Sequence, residues 1–296
     1  MILVIRKNST LDRHGEYVRD KVTQGFLPKS HLERLKTAHD EHYSTFDLLL
    51  NSLNKAGLKY TEVQRDDPWP ALLGVKYVIT VGGDGTVLEA SHHIPDRGPT
   101  LIGVRSSPSS VGFLCYKSGP QIAELVKELV SGDLSVVEVD RIKASIFSVK
   151  TGKKVESKPV LNDFLYTASN PAETTRYLIS CSGQSEVQKS SGLWISTAAG
   201  STAAISAAGG KIYPLSHKGF QFVVREPYCA PGQIFSLTSG HFDPPRQTLE
   251  IENRVDQGLL ALDGHHGGIN LGYGDRILFN RAEPLLIARG LETDKA

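Results

Sequence analysis

The sequence predicts two domains of different character, an α/β N-terminal domain built on a parallel sheet and a β-rich, β-sandwich-like C-terminal domain. Three observations carry this expectation. Strand-length apolar runs alternate with helix-spaced patterns over residues 1–135. Over residues 136–296 the texture changes to short strand-like runs punctuated by turn residues. At 296 residues the chain also exceeds the usual size of one hydrophobic core.

Taken in order, Ile2-Leu3-Val4-Ile5 reads as a first strand, cut short by Arg6 and Lys7 and so too brief for a signal-peptide core. Residues 31–56 place Leu35, Phe46, Leu49, Leu50 and Leu53 near helical spacing, with Gly57 positioned to end the helix. Residues 60–63 and 76–81 are strand-like, a helix follows from Val87, residues 100–104 form the next strand, and a helix over 120–130 stops at Ser131-Gly132. Strands separated by helices imply a parallel sheet covered on both faces. The boundary falls between Asp133 and Asp140.

Beyond it, residues 141–150 alternate with a period of two and Thr151-Gly152 offers a turn. Strands are expected at 160–166, 175–181, 221–224, 249–253 and 276–280, with a helical interruption over 203–208 and a loop-rich connection over 213–240. The extreme C-terminus is expected to pack back on the first domain. No internal repeat or low-complexity tract is present.

Hydrophobic residues at 40%, charged residues at 22% and a formal charge of +1 describe an ordinary globular chain. Nucleic acid and membrane surface are thereby excluded as main partners, because both need a lopsided field. Cys115, Cys181 and Cys229 are odd in number and far apart, which fits neither a disulfide framework nor a metal-ligand pattern. They read as reduced, buried thiols. With no stretch near the ~18 apolar residues that span a bilayer, the expected compartment is the cytoplasm.

The strongest chemical signal is Val78-Ile79-Thr80-Val81-Gly82-Gly83-Asp84-Gly85-Thr86-Val87-Leu88-Glu89. A buried strand enters a glycine-rich turn, and a helix begins at once. Glycines let backbone N–H groups approach an anion, and the helix N-terminus adds partial positive charge, so the turn reads as a phosphate site. It is neither a P-loop, lacking the Gly-Lys-Ser/Thr ending, nor a Rossmann fingerprint, since Leu88 stands where the third glycine belongs. Asp84 is the odd member. A carboxylate beside phosphate is repulsive unless it meets Mg²⁺ or accepts a proton from an attacking hydroxyl; the plainer reading is a turn with a helix-capping aspartate.

A second glycine-rich stretch runs from Ser190-Ser191-Gly192-Leu193-Trp194-Ile195-Ser196-Thr197 through Ala198-Ala199-Gly200-Ser201-Thr202-Ala203-Ala204 to Gly209-Gly210. A strand, a loop of small hydroxyl residues and a helix of small residues would let a flat ligand lie against backbone. Close helix packing on a sheet would use the same residues.

Gly82-Gly83-Asp84-Gly85-Thr86 resembles the signature shared by NAD kinases, diacylglycerol and sphingosine kinases and 6-phosphofructokinases. The downstream segment from Ile102-Gly103-Val104-Arg105-Ser106-Ser107-Pro108 to Val111-Gly112-Phe113-Leu114, the pair Asn162-Asp163, and the second glycine-rich stretch are similar to NAD kinases in particular. The wording Lys189-Ser190-Ser191-Gly192-Leu193, the segment Val224-Arg225-Glu226-Pro227 and the long helix at 31–56 look most like the mitochondrial-type branch. The likeness runs from Ile2 to about Leu286.

The resemblance implies an NAD kinase/diacylglycerol kinase-like fold and transfer of a phosphoryl group from ATP, or another donor, to the adenosine ribose 2′-hydroxyl of NAD. By the same resemblance Asp84 is catalytic, and Gly83, Gly85 and Thr86 hold donor phosphate. Asn162, Asp163, Ser191, Thr197, Gly200, Ser201, Thr202 and Ala203 bind NAD, with Thr202 and Ala203 lining the adenine pocket. The ligand would lie in the cleft between the domains. Mg²⁺ or another divalent cation would act with ATP through its phosphates and Asp84, without a side-chain cluster of its own. A homodimer or homotetramer is implied by analogy.

Three residues depart from the family wording. Ser191 replaces aspartate, Asp163 replaces glutamate and Ala204 replaces tyrosine; Trp194 or Tyr213 is expected to fill the space left at Ala204. A lipid kinase of the diacylglycerol or sphingosine type shares the pentapeptide, but the hydroxyl-rich loop at 196–202 suits an apolar acceptor poorly. A degenerate NAD(H)-binding sensor is the non-enzyme alternative. Lys189 and Arg225 are candidate phosphate partners. Asp263-Gly264-His265-His266 reads as a turn at the substrate-facing edge, its adjacent histidines pointing to opposite faces of a strand and so sharing no ion.

Overall fold

The computed structural model describes residues 1–289. The described residues divide into two compact units, Met1–Val137 with residues 286–289, and Glu138–Leu285.

The first unit contains β1 (Ile2–Arg6), α1 (Thr10–Thr23), α2 (Lys29–Lys55), β2 (Tyr60–Gln64), β3 (Tyr77–Gly82), α3 (Asp84–Ser91), β4 (Thr100–Arg105), β5 (Lys117–Ser118) and α4 (Ile122–Ser131). Its sheet runs in the order β4-β3-β1-β2 with every pairing parallel. All six residues of β3 are buried, as expected of a central parallel strand covered on both faces. Phe46, Leu49 and Leu53 of α2 lie one helical turn apart on its inward face and share a core with Ile79, Val81, Ile102 and Val104. Full burial of each such side chain stabilises the fold by about 1.5–3 kcal/mol. From α4, Ile122, Leu125, Val126 and Leu129 join the same core, and Gly132 ends that helix in the left-handed region at φ 79°.

Helix α1 was not expected. Only Gly15 and Val18 are buried along its length, so it lacks a strong apolar stripe, yet Ser9 and Asp12 form a capping box that marks its start. The motif helix α3 begins at Asp84 rather than at Val87.

The second unit contains β6 (Val136–Phe147), which starts two residues before it, then β7 (Lys154–Glu156), β8 (Asp163–Ala168), β9 (Thr175–Cys181), β10 (Gln184–Ser190) and β11 (Leu193–Ser196). A 3₁₀ turn (Ala199–Thr202) and α5 (Ala204–Ala207) follow, then β12 (Phe220–Val224), β13 (Ser239–Phe242), β14 (Leu249–Asn253), β15 (Gly258–Leu262), β16 (Gly268–Leu271) and β17 (Arg276–Ala288). One layer is an antiparallel run β10-β9-β14-β17, with β6 beside β17; the other is an antiparallel sheet β13-β12-β11-β8-β15-β16. Phe164, Tyr166, Phe222 and Leu260 from the second layer share one core with Tyr177, Ile179, Ile251 and Phe279 from the first, so the unit is a β-sandwich.

The helical interruption is shorter than expected, a 3₁₀ turn and one turn of α5, ended by Gly209 at φ 92°. Of the three cysteines only Cys181 is buried; Cys115 is half-buried and Cys229 is exposed, because it lies in the connection between β12 and β13, outside the sandwich core. Strand β17 ends in the first unit, where Ile287 pairs with Leu101 of β4. The rest of the C-terminus, residues 290–296, lies outside the described residues.

Candidate active site

In the first unit β3 delivers the glycine-rich turn and α3 leaves it. Gly83 is the N-cap in an extended conformation, and its carbonyl accepts the N–H groups of Thr86 and Val87. Thr86 is buried, whereas Gly85 is exposed with no atom within 4 Å of where a Cβ would stand. At Gly83, by contrast, a Cβ would come 2.7 Å from the carbonyl oxygen of Val111. The open face of the turn is therefore at Gly85, while Gly83 packs against residues 110–111.

Asp84 is not the N-cap. Its Oδ1 accepts the Leu114 N–H at 2.9 Å and its Oδ2 the Phe113 N–H at 3.0 Å, while its own N–H donates to the Val111 carbonyl. The carboxylate thus ties the turn to the segment after β4, which lies about thirty residues on in the chain. Burial pushes the carboxyl above its ordinary range; the two N–H donors, then Arg289 and Arg105, pull the other way. The neighbouring Cys115 thiol is pushed up to about 12, by burial first and by the Asp84 charge second. It stays protonated at neutral pH and is no nucleophile.

Arg105 at the end of β4 donates to the carbonyls of Ser107 (3.2 Å) and Pro108 (2.7 Å), shaping the loop that faces Asp84. Arg289 donates to the Phe113 carbonyl. Neither arginine had been singled out for a role at this site. Arg105 lay inside the segment that carried the resemblance, whereas Arg289 had no local signal.

In the second unit Asn162 and Asp163 stand at the entry to β8. Asp263 holds them there: its carboxylate accepts the N–H groups of Leu161 (3.0 Å), Asn162 (2.8 Å) and Asp163 (3.0 Å), and its N–H returns a bond to the Asp163 carbonyl. Asp263 is thus the residue that sequence reasoning underrated. Placing it at a turn was right about position but missed a buried anchor acting across about a hundred residues. The Asp163 carboxyl is pushed up to about 7, by burial first and by Asp263 second. Asn162 Oδ1 is buried and has no hydrogen-bond partner among the described residues. A buried acceptor without a donor costs about 1–3 kcal/mol, so it calls for a partner such as a bound water or a ligand.

The hydroxyl-rich loop holds this pair from the other side. Ser196 pairs with Asp163 in register, and its Oγ donates to the Asn162 carbonyl, which also accepts the Thr197 N–H. Thr197 Oγ1 donates to the Leu161 carbonyl and accepts the Gly200 N–H. A Cβ at Gly200 would come 2.3 Å from the Asn162 carbonyl oxygen. Ser201 is fully buried and exchanges hydrogen bonds with the backbone of Tyr213. Thr197, Gly200 and Ser201 therefore present their backbone-facing groups to their own chain, and only Thr202 and Ala203, half-buried, keep a face outward.

Ser191 does not join this cluster. It precedes β11 while Thr197 follows it, and an extended strand of that length spans about 15–20 Å. Ser191 lines a separate cavity of about 310 Å³ with Arg176, Lys189 and Tyr228. Arg225 donates to the Ser191 carbonyl and lies over the Trp194 ring. Tyr213 stacks on His217 with ring centroids 4.0 Å apart. Ala204 itself is exposed. His265 and His266 lie in a turn rather than on a strand, with centroids 4.2 Å apart. They share a side because turn residues do not alternate faces.

The ATP-NAD kinase N-terminal domain family matches residues 18–134. The chain is 31% identical over 280 residues to an NADH kinase of Arabidopsis thaliana, covering 86% of this chain and 85% of that protein. It is 30% identical over 267 residues to a probable NADH kinase of Oryza sativa subsp. japonica, covering 83% and 80%. Among solved structures, a yeast NADH kinase superposes with a TM-score of 0.73 at 15% identity, over all of this chain and 85% of that one. An NAD kinase from Archaeoglobus fulgidus superposes with a TM-score of 0.69 at 16% identity, over all of this chain and 96% of that one. The two-unit fold is theirs, and by its similarity to the plant proteins along most of its length this chain belongs to the NAD kinase family.

Proposed function

We propose that this protein is an NAD kinase, transferring the terminal phosphoryl group of ATP to the adenosine ribose 2′-hydroxyl of NAD or NADH. The observation that carries the reading is the Asp84 turn: a half-buried carboxylate fixed by two backbone N–H groups at the start of a helix, beside the open face of Gly85. The named activities of the plant relatives supply the acceptor.

In this reading Asp84 receives a hydrogen bond from the 2′-hydroxyl and orients its oxygen at the γ-phosphorus. The new O–P bond forms as the bond to the leaving diphosphate breaks, and the hydroxyl proton passes to the Asp84 carboxylate. Burial raises the basicity of that carboxylate, while its two N–H donors hold its direction. The Gly85 backbone and the α3 N-terminus face the donor phosphates. In the second unit the Asn162 Oδ1 accepts a hydrogen bond from the dinucleotide, Asp163 lies beside it, and Thr202 and Ala203 line the base. Thr197, Gly200 and Ser201 act as positioning residues. Ser191 has a place in this reading only outside that cluster.

Among the described residues no three His, Cys, Asp or Glu side chains form a metal cage. Asp84 is a hard oxygen donor, which fits Mg²⁺ in its usual manner of binding through one carboxylate and substrate phosphates. When bound, the ion supplies charge screening between donor and acceptor. No helix among the described residues is long and apolar enough to cross a membrane. A cytoplasmic location is part of the proposal and is tested by cell fractionation; light scattering tests the proposed homodimer or homotetramer.

The test is direct. Purified protein with ATP, Mg²⁺ and NAD or NADH should form NADP or NADPH, measured by an NADP-specific dehydrogenase. Absence of product with every donor and divalent ion, alongside tight NAD(H) binding, would turn the reading into that of a sensor.

A further inference from the structure

In the second unit two histidines meet outside the residues assigned above. His217 precedes β12 and His241 lies on β13, and their Nε2 atoms stand 3.2 Å apart. The rings are inclined at 75°, with His217 half-buried and His241 exposed. The pair is held on three sides. Tyr213 stacks on His217 at 4.0 Å, β13 is paired to β12 through Gln221↔His241, and the His241 ring lies over Gly219, where a Cβ would come 2.5 Å from Cε1 and Nε2.

We propose that His217 and His241 bind one borderline divalent transition-metal ion, Zn²⁺ being the probe of choice, with water completing the coordination from the exposed side of His241. Two imidazole nitrogens at about 2.0–2.1 Å from a tetrahedral zinc lie about 3.3–3.4 Å apart. The observed separation, now bridged by a hydrogen bond between the two rings, is within about 0.2 Å of that, so the nitrogens already stand at the spacing an ion would need. Imidazole suits Zn²⁺ and its late first-row neighbours and discriminates against Mg²⁺, which prefers oxygen ligands.

Lys218, next to His217 in the chain, pairs with Asp140 and Glu138, and Arg281 pairs with Asp140 and Asp243. Asp140 is not itself a ligand, since one oxygen is engaged by Lys218 and the other by Arg281.

The site is one ring away from the hydroxyl-rich loop, because Tyr213, stacked on His217, exchanges backbone hydrogen bonds with Ser201. It is nevertheless separate from the proposed Mg²⁺ chemistry, and its test does not depend on turnover.

The full chain, free of any histidine tag and stripped with chelator, is titrated calorimetrically with Zn²⁺ in the presence of excess Mg²⁺. One Zn²⁺ per chain is expected. Loss of an outer-shell partner already weakens metal sites by about 10- to 100-fold, so His241→Ala and His217→Gln should each weaken binding by at least about tenfold. The double change His265→Ala with His266→Ala should leave it unchanged. His241 is exposed, so its variant is expected to melt with wild type and to keep the test valid if the His217 variant is unstable. No saturable binding, or binding that survives His241→Ala and disappears with the 265/266 change, overturns the proposal.

Discussion

Replacing Asn162 by alanine separates a ligand-facing residue from a structural one. The main chain at this position is held without its side chain: the N–H bonds to Asp263, and the carbonyl accepts from Ser196 and Thr197. The side-chain Oδ1 is buried without a donor among the described residues. Removing it relieves an unsatisfied acceptor, worth about 1–3 kcal/mol to the folded state, partly offset by lost packing. The melting temperature should therefore hold or rise, by about 2–4 °C per kcal/mol gained for a unit of this size.

Binding should move in the opposite direction. A hydrogen bond from the dinucleotide to Oδ1 contributes about 0.5–1.5 kcal/mol, so its loss raises KM for NAD by about two- to twelvefold at 1.4 kcal/mol per decade. KM for ATP should stay put. Initial rates with each substrate varied in turn, read as NADP formed, and a thermal melt of the same preparation make the comparison. An unchanged KM for NAD, or a variant that melts well below wild type, refutes the reasoning, for then the side chain serves the fold through a partner that the structure does not place.

Three further outcomes follow from the same geometry. Asp84→Asn presents one oxygen and one NH₂ to two N–H donors, so it should lose about 1–3 kcal/mol of stability as well as about a hundredfold or more in turnover; near wild-type rates would remove Asp84 from the chemistry. The Asp163 carboxyl is raised from 3.8 to about 7, so the folded chain keeps a proton that the unfolded chain releases. That contribution is full below about pH 4 and is lost as pH rises through 7, by up to about 4 kcal/mol at about 1.4 kcal/mol per unit. Asp163→Asn should flatten this fall in urea unfolding, and parallel pH profiles for variant and wild type would contradict it. At Ala204, which is exposed, Ala204→Tyr should fold normally and tighten NAD binding by about 1–3 kcal/mol, the scale of a base on an aromatic ring; weaker binding in calorimetric titration would mean an overpacked site.

What the sequence made legible follows the range of the interaction involved. Strands β3 and β9 and helix α2 were found nearly to the residue, because their apolar periodicity is local and their burial follows it. Helix α1 escaped because its inward face buries only Gly15 and Val18, leaving a capping box as its one signal. Strands β15 and β16 escaped for another reason. They are only five and four residues long, and neither alternates apolar with polar cleanly: β15 reads Gly-Leu-Leu-Ala-Leu, and β16 offers only Ile269 and Leu271.

The candidate site divides along the same line. The Asp84 turn was visible because all its unusual residues are adjacent, but its two N–H donors are not, and they change the carboxylate from a helix cap into a fixed acceptor. The hydroxyl-rich loop was visible as a composition, yet its chemistry is opposite to its appearance. Ser196 and Thr197 direct their hydroxyls at the carbonyls of Asn162 and Leu161, and Asp263 takes the N–H groups of Leu161, Asn162 and Asp163. The chain entering β8 is thus held by its carbonyls from one neighbouring segment and by its N–H groups from another. With the backbone satisfied on both sides, the Asn162 Oδ1 is left as a buried polar atom of this segment with no partner among the described residues. A family signature can mark every residue of such an arrangement without distinguishing the groups that hold from the group that is held. The distinction lies in which donors are already engaged, and it makes Asn162, rather than Thr197 or Ser201, the position at which binding and stability should part.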